Sequence, residues 1–142
     1  TATINSTSVK KMSALAKEFH VHIVYGMAEK EEDILYNSQF FIDDTGVLLG
    51  TYRKVHLFDS EKNYFTPGDQ FKVFNTKIGR IGLFICYDAF FPEAARSLAI
   101  QGVDLLVNST NWEKPYDYDI AKQMKHDYYT MLTERRPDVY IA

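Results

Sequence analysis

Apolar and polar positions in the first half of the chain follow first a helical and then a strand-like pattern. Residues 8–19 place apolar side chains at helical spacing with lysines opposite, which predicts an amphipathic helix covering a sheet. Residues 21–27 are short, apolar and β-branched, which predicts a strand. Two β-rich runs at 34–42 and 47–52 flank an acidic turn that contains glycine, and they predict a hairpin. The apolar positions of the predicted helix are Val9, Met12, Leu15 and Phe19.

The second half of the chain repeats the alternation of strands and helices. Runs at 71–75 and 80–85 predict a second hairpin. A helix is expected to begin at Pro92, where the first turn tolerates proline, and to end at Gly102. The apolar run at 103–107 predicts a further buried strand. A helix between two strands implies a crossover unit, so the pattern predicts the α/β class.

Two stretches between these elements are polar. Residues 53–70 form a long loop, and a loop of that length inside a compact domain is more often functional than idle. Residues 113–119 are polar and aromatic and also predict a loop. Residues 120–132 then carry apolar side chains four apart, which predicts one face of a helix.

Cys86 is the only cysteine of the chain. It follows the apolar run 81–85 and precedes the helix expected from Pro92, so it lies at a strand-to-helix elbow. Strand ends are where open α/β sheets hold their chemistry, and an elbow can expose a thiol. A buried and inert cysteine is the alternative, since free cysteine is among the most buried residue types. The local pattern leaves the two interpretations about even.

Composition narrows the classes of protein. The chain has 142 residues and 46% hydrophobic content, enough for one domain with a real core. Its net charge of −3 with scattered basic residues argues against a nucleic-acid partner. Apolar runs are too short for a membrane span, so no membrane partner is expected. A single cysteine allows no internal disulfide, which fits a reducing compartment and predicts a cytoplasmic protein.

A nucleophilic thiol needs a proton acceptor and donors for the oxyanion. None of the four histidines lies in a local pattern that connects it to Cys86, so a cysteine-histidine acyl transferase is a minor alternative. His20 and His22 stand two residues apart at the start of a predicted strand, so both could bind one metal ion. The sequence does not point to a third ligand, and no metal site is predicted. The sequence contains no P-loop, G-x-S-x-G elbow or dinucleotide fingerprint. The histidines are His20, His22, His56 and His126.

The long loop supplies a basic residue directly after a strand, Lys54, and an acidic residue seven positions later, Glu61. Taken alone, a solvated charged loop is the favoured interpretation. Three ordered segments change that view, because together they resemble the nitrilase superfamily of carbon-nitrogen hydrolases, in its amidase-like branch. They are YRKVHLF at 52–58, EKNYFTPGD at 61–69 and GRIGLFICYDAFFPEAARSLAIQGVDLLVNSTNW at 79–112.

The resemblance implies an α-β-β-α sandwich and a hydrolase without cofactor or metal. It assigns Cys86 as the nucleophile that attacks a small amide, carbamoyl compound or nitrile. Lys54 would stabilise the tetrahedral intermediate, and Glu61 would pair with the lysine and orient the substrate. A homo-oligomer is expected, because members commonly associate through helices on the sandwich face. Substrate-binding roles fall to Tyr87, through its backbone N–H, and to Asn111 and Trp112.

The resemblance also has two departures. The family's general-base glutamate ends a strand that precedes the first helix, and this sequence begins just before that helix. Glu18, Glu29 and Glu31 stand in contexts that do not match it. The family also carries a further helix and several strands that this chain lacks: near residues 118–121 it passes directly to a segment resembling the family's terminal tail.

We therefore expect a single carbon-nitrogen hydrolase domain over residues 1–142 that lacks these parts, so that the sandwich is incomplete in this chain. Its predicted function is hydrolysis of a non-peptide carbon-nitrogen bond through a cysteine thioester. The alternative is a non-catalytic fragment or pseudoenzyme of the same family that acts only through association.

Overall fold

The computed structural model describes residue 3, residues 6–111 and residues 140–141. The chain divides into two compact units, Thr1–Gln70 and Phe71–Ala142, which we call the first and the second unit. Within the described residues, no helix has the length and apolar character needed to cross a membrane. The single domain predicted over residues 1–142 stays a prediction.

The first unit is a helix packed on a three-stranded antiparallel sheet. The sheet order is β1-β2-β3, with β2 in the centre. The helix packs against β2, where Val9 meets the fully buried Phe40. The elements are α1 (Thr7–Phe19), β1 (Ile23–Glu31), β2 (Ile34–Ile42) and β3 (Leu48–Arg53).

Helix α1 begins and ends where the sequence predicts. The Ser6 Oγ accepts a hydrogen bond from the Val9 N–H at 3.4 Å, which caps the first turn. The apolar face is only partly covered: Val9 is buried, whereas Leu15 is 41% and Phe19 64% exposed. Ala16 is also fully buried, so the prediction that this face covers the sheet is correct at Val9 and Ala16 and wrong at Leu15 and Phe19.

The hairpin of β2 and β3 is confirmed, and its turn shows why the chain reverses there. The Asp43 Oδ1 accepts backbone N–H groups of Thr45 and Val47, both at 2.9 Å. Gly46 has a φ of +87°, and a Cβ there would lie 2.6 Å from the Ser13 carbonyl oxygen. The hairpin of β1 and β2 was not predicted, because its turn uses Glu32 at a φ of 53° rather than glycine.

The second unit is a four-stranded sheet of order β4-β5-β6-β7. Strands β4 and β5 are antiparallel, as the second hairpin predicted, and β5 and β6 are parallel across helix α2, as the crossover predicted. The helix 120–132 and the loop 113–119 lie outside the described residues. The elements are β4 (Val73–Thr76), β5 (Gly79–Ile85), α2 (Pro92–Ile100), β6 (Leu105–Ser109) and β7 (Tyr140–Ile141).

Glycine inside β5 permits close packing between layers. A Cβ on Gly82 would lie 2.9 Å from the Leu106 Cδ2 and 3.2 Å from the Leu98 Cδ2. Both side chains are fully buried, so the strand, the helix and the neighbouring strand approach one another at this point. Strand β5, which leads to Cys86, is thereby fixed in a dense core.

The long loop is folded back onto β2 and β3. The Thr66 N–H donates to the Leu35 carbonyl oxygen and the Gly68 N–H to the Lys54 carbonyl oxygen, both at 2.8 Å. Residues Asp59–Asn63 within the loop form a 3₁₀ helix. The segment that carries Lys54 and Glu61 is therefore ordered by backbone hydrogen bonds at both ends.

Candidate active site

Lys54 follows β3 directly and is 2% exposed. Its backbone N–H donates to the Asn37 carbonyl oxygen at 2.8 Å, which continues the pairing of β2 and β3 by one residue. Its Nζ donates to the Glu61 Oε2 at 2.7 Å. A buried ammonium is held in place only when a charged partner compensates its desolvation, and Glu61 supplies that partner.

Glu61 accepts hydrogen bonds at both carboxylate oxygens. Its Oε2 takes the Lys54 Nζ and also the Phe58 N–H at 2.7 Å, and its Oε1 takes the Asn37 Nδ2 at 2.8 Å. Burial raises the pKa of Glu61, but the hydrogen bonds from Lys54, Phe58 and Asn37 and the charge of Lys54 outweigh it. The net pKa lies below the ordinary value, so Glu61 is ionised at neutral pH.

A second ion pair fixes the end of β3 just before Lys54. The Arg53 Nε and Nη2 donate to the two oxygens of Glu29 at 2.9 and 2.8 Å, and the Ser38 Oγ donates to Glu29 Oε2 at 2.6 Å. The guanidinium lies 3.7 Å from the ring centroid of Tyr36 and 3.1 Å from Glu31. Hydrogen bonds to Glu29 raise the pKa of Arg53. Glu29 is therefore a buried anchor of β3.

Cys86 occupies the elbow that the sequence predicts. It follows β5, opens the 3₁₀ helix Cys86–Phe90, and is half-buried. Its φ of 44° lies in the left-handed region, which is unusual for a residue with a Cβ. Such a conformation costs about 1–3 kcal/mol and persists only where surrounding contacts enforce it. The thiol is thus held at a sharp turn after a buried strand.

Two polar side chains hold this elbow through the backbone. The Asn108 Oδ1 accepts the Cys86 N–H at 2.7 Å, and the Asp88 Oδ2 accepts the Ile85 N–H at 2.9 Å. Asn108 lies on β6 opposite Phe84, and Asp88 is fully buried. Neither Asn108 nor Asp88 is among the site residues predicted from the sequence. The signal for Asn108 was a polar residue at the end of an apolar strand.

The structure brings Lys54 and Glu61 together in the first unit. Cys86, Tyr87 and Asn111 belong to the second unit: Tyr87 follows Cys86 in the 3₁₀ helix, its ring against Phe90 and Phe91, and Asn111 is exposed two residues after β6. Trp112 lies outside the described residues. Among those that are described, no group of three or more His, Cys, Asp or Glu side chains could hold a metal ion.

Comparison with known proteins identifies the family. Residues 1–131 match the family model described as carbon-nitrogen hydrolase. A probable nitrilase of Schizosaccharomyces pombe is 50% identical over 123 residues, which are 83% of this chain and 45% of that protein. An N-carbamoylputrescine amidase of Arabidopsis thaliana is 45% identical over 111 residues, which are 75% of this chain and 37% of that protein. The chain thus spans under half the length of these relatives.

Solved structures give the same result for the fold. Nit3 of Saccharomyces cerevisiae, a nitrilase-superfamily member, superposes with a TM-score of 0.78 at 28% identity, covering 87% of this chain and 46% of that one. A variant of an amidase from Nesterenkonia sp. AN1 superposes with a TM-score of 0.67 at 26% identity, covering 72% of this chain and 40% of that one. The fold predicted from the resemblance is confirmed, and the chain belongs to the carbon-nitrogen hydrolase family, the nitrilase superfamily.

Proposed function

We propose that the protein hydrolyses a non-peptide carbon-nitrogen bond of a small molecule, with Cys86 as the nucleophile. The observation that carries this proposal is the conformation of Cys86. The only cysteine of the chain stands at a positive φ at the end of a strand, held by Asn108 and Asp88 through backbone hydrogen bonds. Strain of this kind is concentrated at functional sites, and an inert core cysteine does not need it.

The reaction begins when the thiol of Cys86 gives its proton to a general base and the sulfur attacks the carbonyl carbon of an amide. The carbonyl electrons move to oxygen and form a tetrahedral oxyanion. When the oxyanion collapses, the carbon-nitrogen bond breaks, the nitrogen leaves as ammonia with an added proton, and a thioester remains on sulfur. Water then attacks the thioester, which releases a carboxylic acid and restores the thiol.

Lys54 and the backbone N–H of Tyr87 are the proposed donors to the oxyanion. The Cys86 N–H already donates to Asn108, so it does not serve in this role. An ammonium that is 2% exposed keeps most of its electrostatic effect, because little water screens it. Glu61 neutralises the lysine in the resting protein and fixes the direction of its Nζ. Asn111 and Trp112 are proposed to line the substrate pocket.

The names of the relatives support a proposal for the substrate class. The Arabidopsis protein is named for a carbamoyl amide, the S. pombe protein as a nitrilase, and the Nesterenkonia structure is described as an amidase with covalent addition of an acetamide moiety at its active site cysteine. We propose a small amide or carbamoyl substrate ahead of a nitrile. Two further expectations, a homo-oligomer and a location in the cytoplasm, remain predictions.

The test is ammonia release by the full-length protein from a panel of short amides, carbamoyl amines and nitriles. We expect turnover of at least one class, and we expect Cys86→Ala to abolish it while the far-UV circular dichroism stays unchanged. Turnover that survives in Cys86→Ala would refute the cysteine mechanism. Absence of turnover from every class would favour the alternative of a non-catalytic relative that acts through association.

A further inference from the structure

Asn37 contacts both members of the Lys54–Glu61 ion pair. It lies on the central strand β2, directly before Ser38, and Ser38 pairs with Arg53 on β3. Its carbonyl oxygen accepts the Lys54 N–H at 2.8 Å, and its Nδ2 donates to the Glu61 Oε1 at 2.8 Å. The backbone and the side chain of one residue therefore hold the lysine and the glutamate that pairs with it.

We propose that Asn37 is a positioning residue of the hydrolase, and that it fixes the rotation of the Glu61 carboxylate and, through it, the direction of the Lys54 Nζ. The inference rests on the proposed function of Lys54 and Glu61 and adds a residue to which the sequence analysis gave no role. Asn37 is not proposed to touch the substrate.

The two carboxylate oxygens of Glu61 accept hydrogen bonds from different donors, which supports this role. The Glu61 Oε2 receives the Lys54 Nζ and the Phe58 N–H, while the Asn37 amide is directed at Oε1. The last torsion of a glutamate is broad and roughly two-fold, so an unheld carboxylate turns easily. A donor at Oε1 resists that turn. The Lys54 Nζ, bonded to Oε2, then keeps one direction during turnover.

Strand formation does not explain an asparagine at this position. Asparagine is disfavoured in strands, whereas Tyr36 and Phe40 on the same strand are residues that strands favour. The contribution of Asn37 to the β2–β3 pairing comes from its carbonyl oxygen, which any residue would supply. The side-chain amide is the feature that this position requires, and its contact is with Glu61.

The test compares Asn37→Ala and Asn37→Asp with Asn75→Ala in the full-length protein. Asn75 is an exposed asparagine on β4 and serves as the matched control. We expect Asn37→Ala to lower kcat about ten- to a hundred-fold with little change in KM, the range for a hydrogen bond to a charged group. The loss should fall on kcat because the oxyanion exists only after substrate is bound. The control should keep both constants.

The pH profile separates a positioning role from a structural one. Lys54 is the charged group that faces Glu61 in the described residues, and Asp59 and Lys62 on the helix of Glu61 are exposed. Asn37→Ala removes one bond that lowers the pKa of Glu61, so the acidic limb of the kcat profile should move to higher pH. Asn37→Asp keeps the shape but adds a like charge, so its activity should recover partly as the pH falls and one proton is shared.

The outcomes are distinct. Wild-type kcat and an unmoved acidic limb in both Asn37 variants would overturn the inference, and so would a loss of kcat that merely follows a fall in melting temperature. If Glu61→Gln and Lys54→Met also kept full activity, the proposed function of the pair would fail as well. If those two variants were impaired while both Asn37 variants were normal, only the role of Asn37 would fail.

Discussion

Removing one or the other member of the Lys54–Glu61 pair should have unequal consequences for stability. Lys54 is 2% exposed, whereas the Glu61 side chain is 26% exposed and also receives the Phe58 N–H and the Asn37 Nδ2. Lys54→Met keeps the length of the side chain, removes the charge and leaves Glu61 with two donors and access to water. We expect the free energy of unfolding to change by less than about 1.5 kcal/mol.

Glu61→Leu leaves the Lys54 ammonium buried without its carboxylate. A buried charge that loses its partner typically costs about 3–5 kcal/mol, so this variant should be much less stable than Lys54→Met. Urea denaturation followed by circular dichroism measures both values on matched samples. Equal destabilisation by the two variants would contradict the asymmetry of burial on which the argument depends.

Lys54→Met should lose much of its activity although its stability changes little. Lys54→Met removes a donor to the oxyanion, and the loss of one such donor costs about a hundred- to a thousand-fold in kcat. The assay is the initial rate of ammonia release from the best amide of the panel, at saturating substrate and at a temperature where both variants are folded. A Lys54→Met protein with wild-type kcat would refute the proposed role of the lysine, however stable it proved to be.

Four further predictions concern Cys86, Asn108, Glu29 and Glu61. Cys86→Gly should be about 1 kcal/mol more stable than Cys86→Ala in urea denaturation, because glycine tolerates a φ of 44°, and a less stable Cys86→Gly would argue against that conformation. Asn108→Leu should lose about 1–3 kcal/mol and Asn108→Asp much less, because only the aspartate keeps an acceptor for the Cys86 N–H. Glu29→Leu should lower the melting temperature more than Glu29→Gln, since leucine leaves the Arg53 guanidinium without an acceptor at that position; similar values would show that the pair contributes little. Glu61 has a lowered pKa, so its stabilising contribution is present above its ordinary value of about 4.5 and is lost as the pH falls through the lower folded value, a dependence that Glu61→Gln should flatten.

The hydrophobic pattern predicted most of the described elements. Spacing and capping residues located α1, and glycine with acidic residues located the turn between β2 and β3. The hairpin of β1 and β2 was missed, because its turn places Glu32 in the left-handed region without a glycine to signal it. The exposure of Phe19 was also missed, because apolar spacing indicates which face of a helix can be buried but not how much of that face is covered.

The residues of the candidate site that lie in sequence motifs were predictable. The residues whose roles depend on contacts between distant parts of the chain were not. Cys86 was located by its position after a strand, and Lys54 and Glu61 were expected to pair from the resemblance. The roles of Asn37 and Asn108 depend on side-chain amides that contact residues 24 and 22 positions away in the sequence. A single sequence does not show such contacts. The left-handed φ of Cys86 likewise follows from tertiary contacts rather than from its residue type.

Covalent trapping of an acyl-enzyme tests whether Cys86 is the nucleophile. The full-length protein is mixed with the best amide of the panel, quenched in acid during turnover and analysed by intact-mass and peptide-mapping mass spectrometry. We expect a mass increase equal to the acyl group of the substrate, located on the peptide that contains Cys86 and absent from Cys86→Ala. An adduct on another residue, or turnover by Cys86→Ala at the wild-type rate, would contradict it.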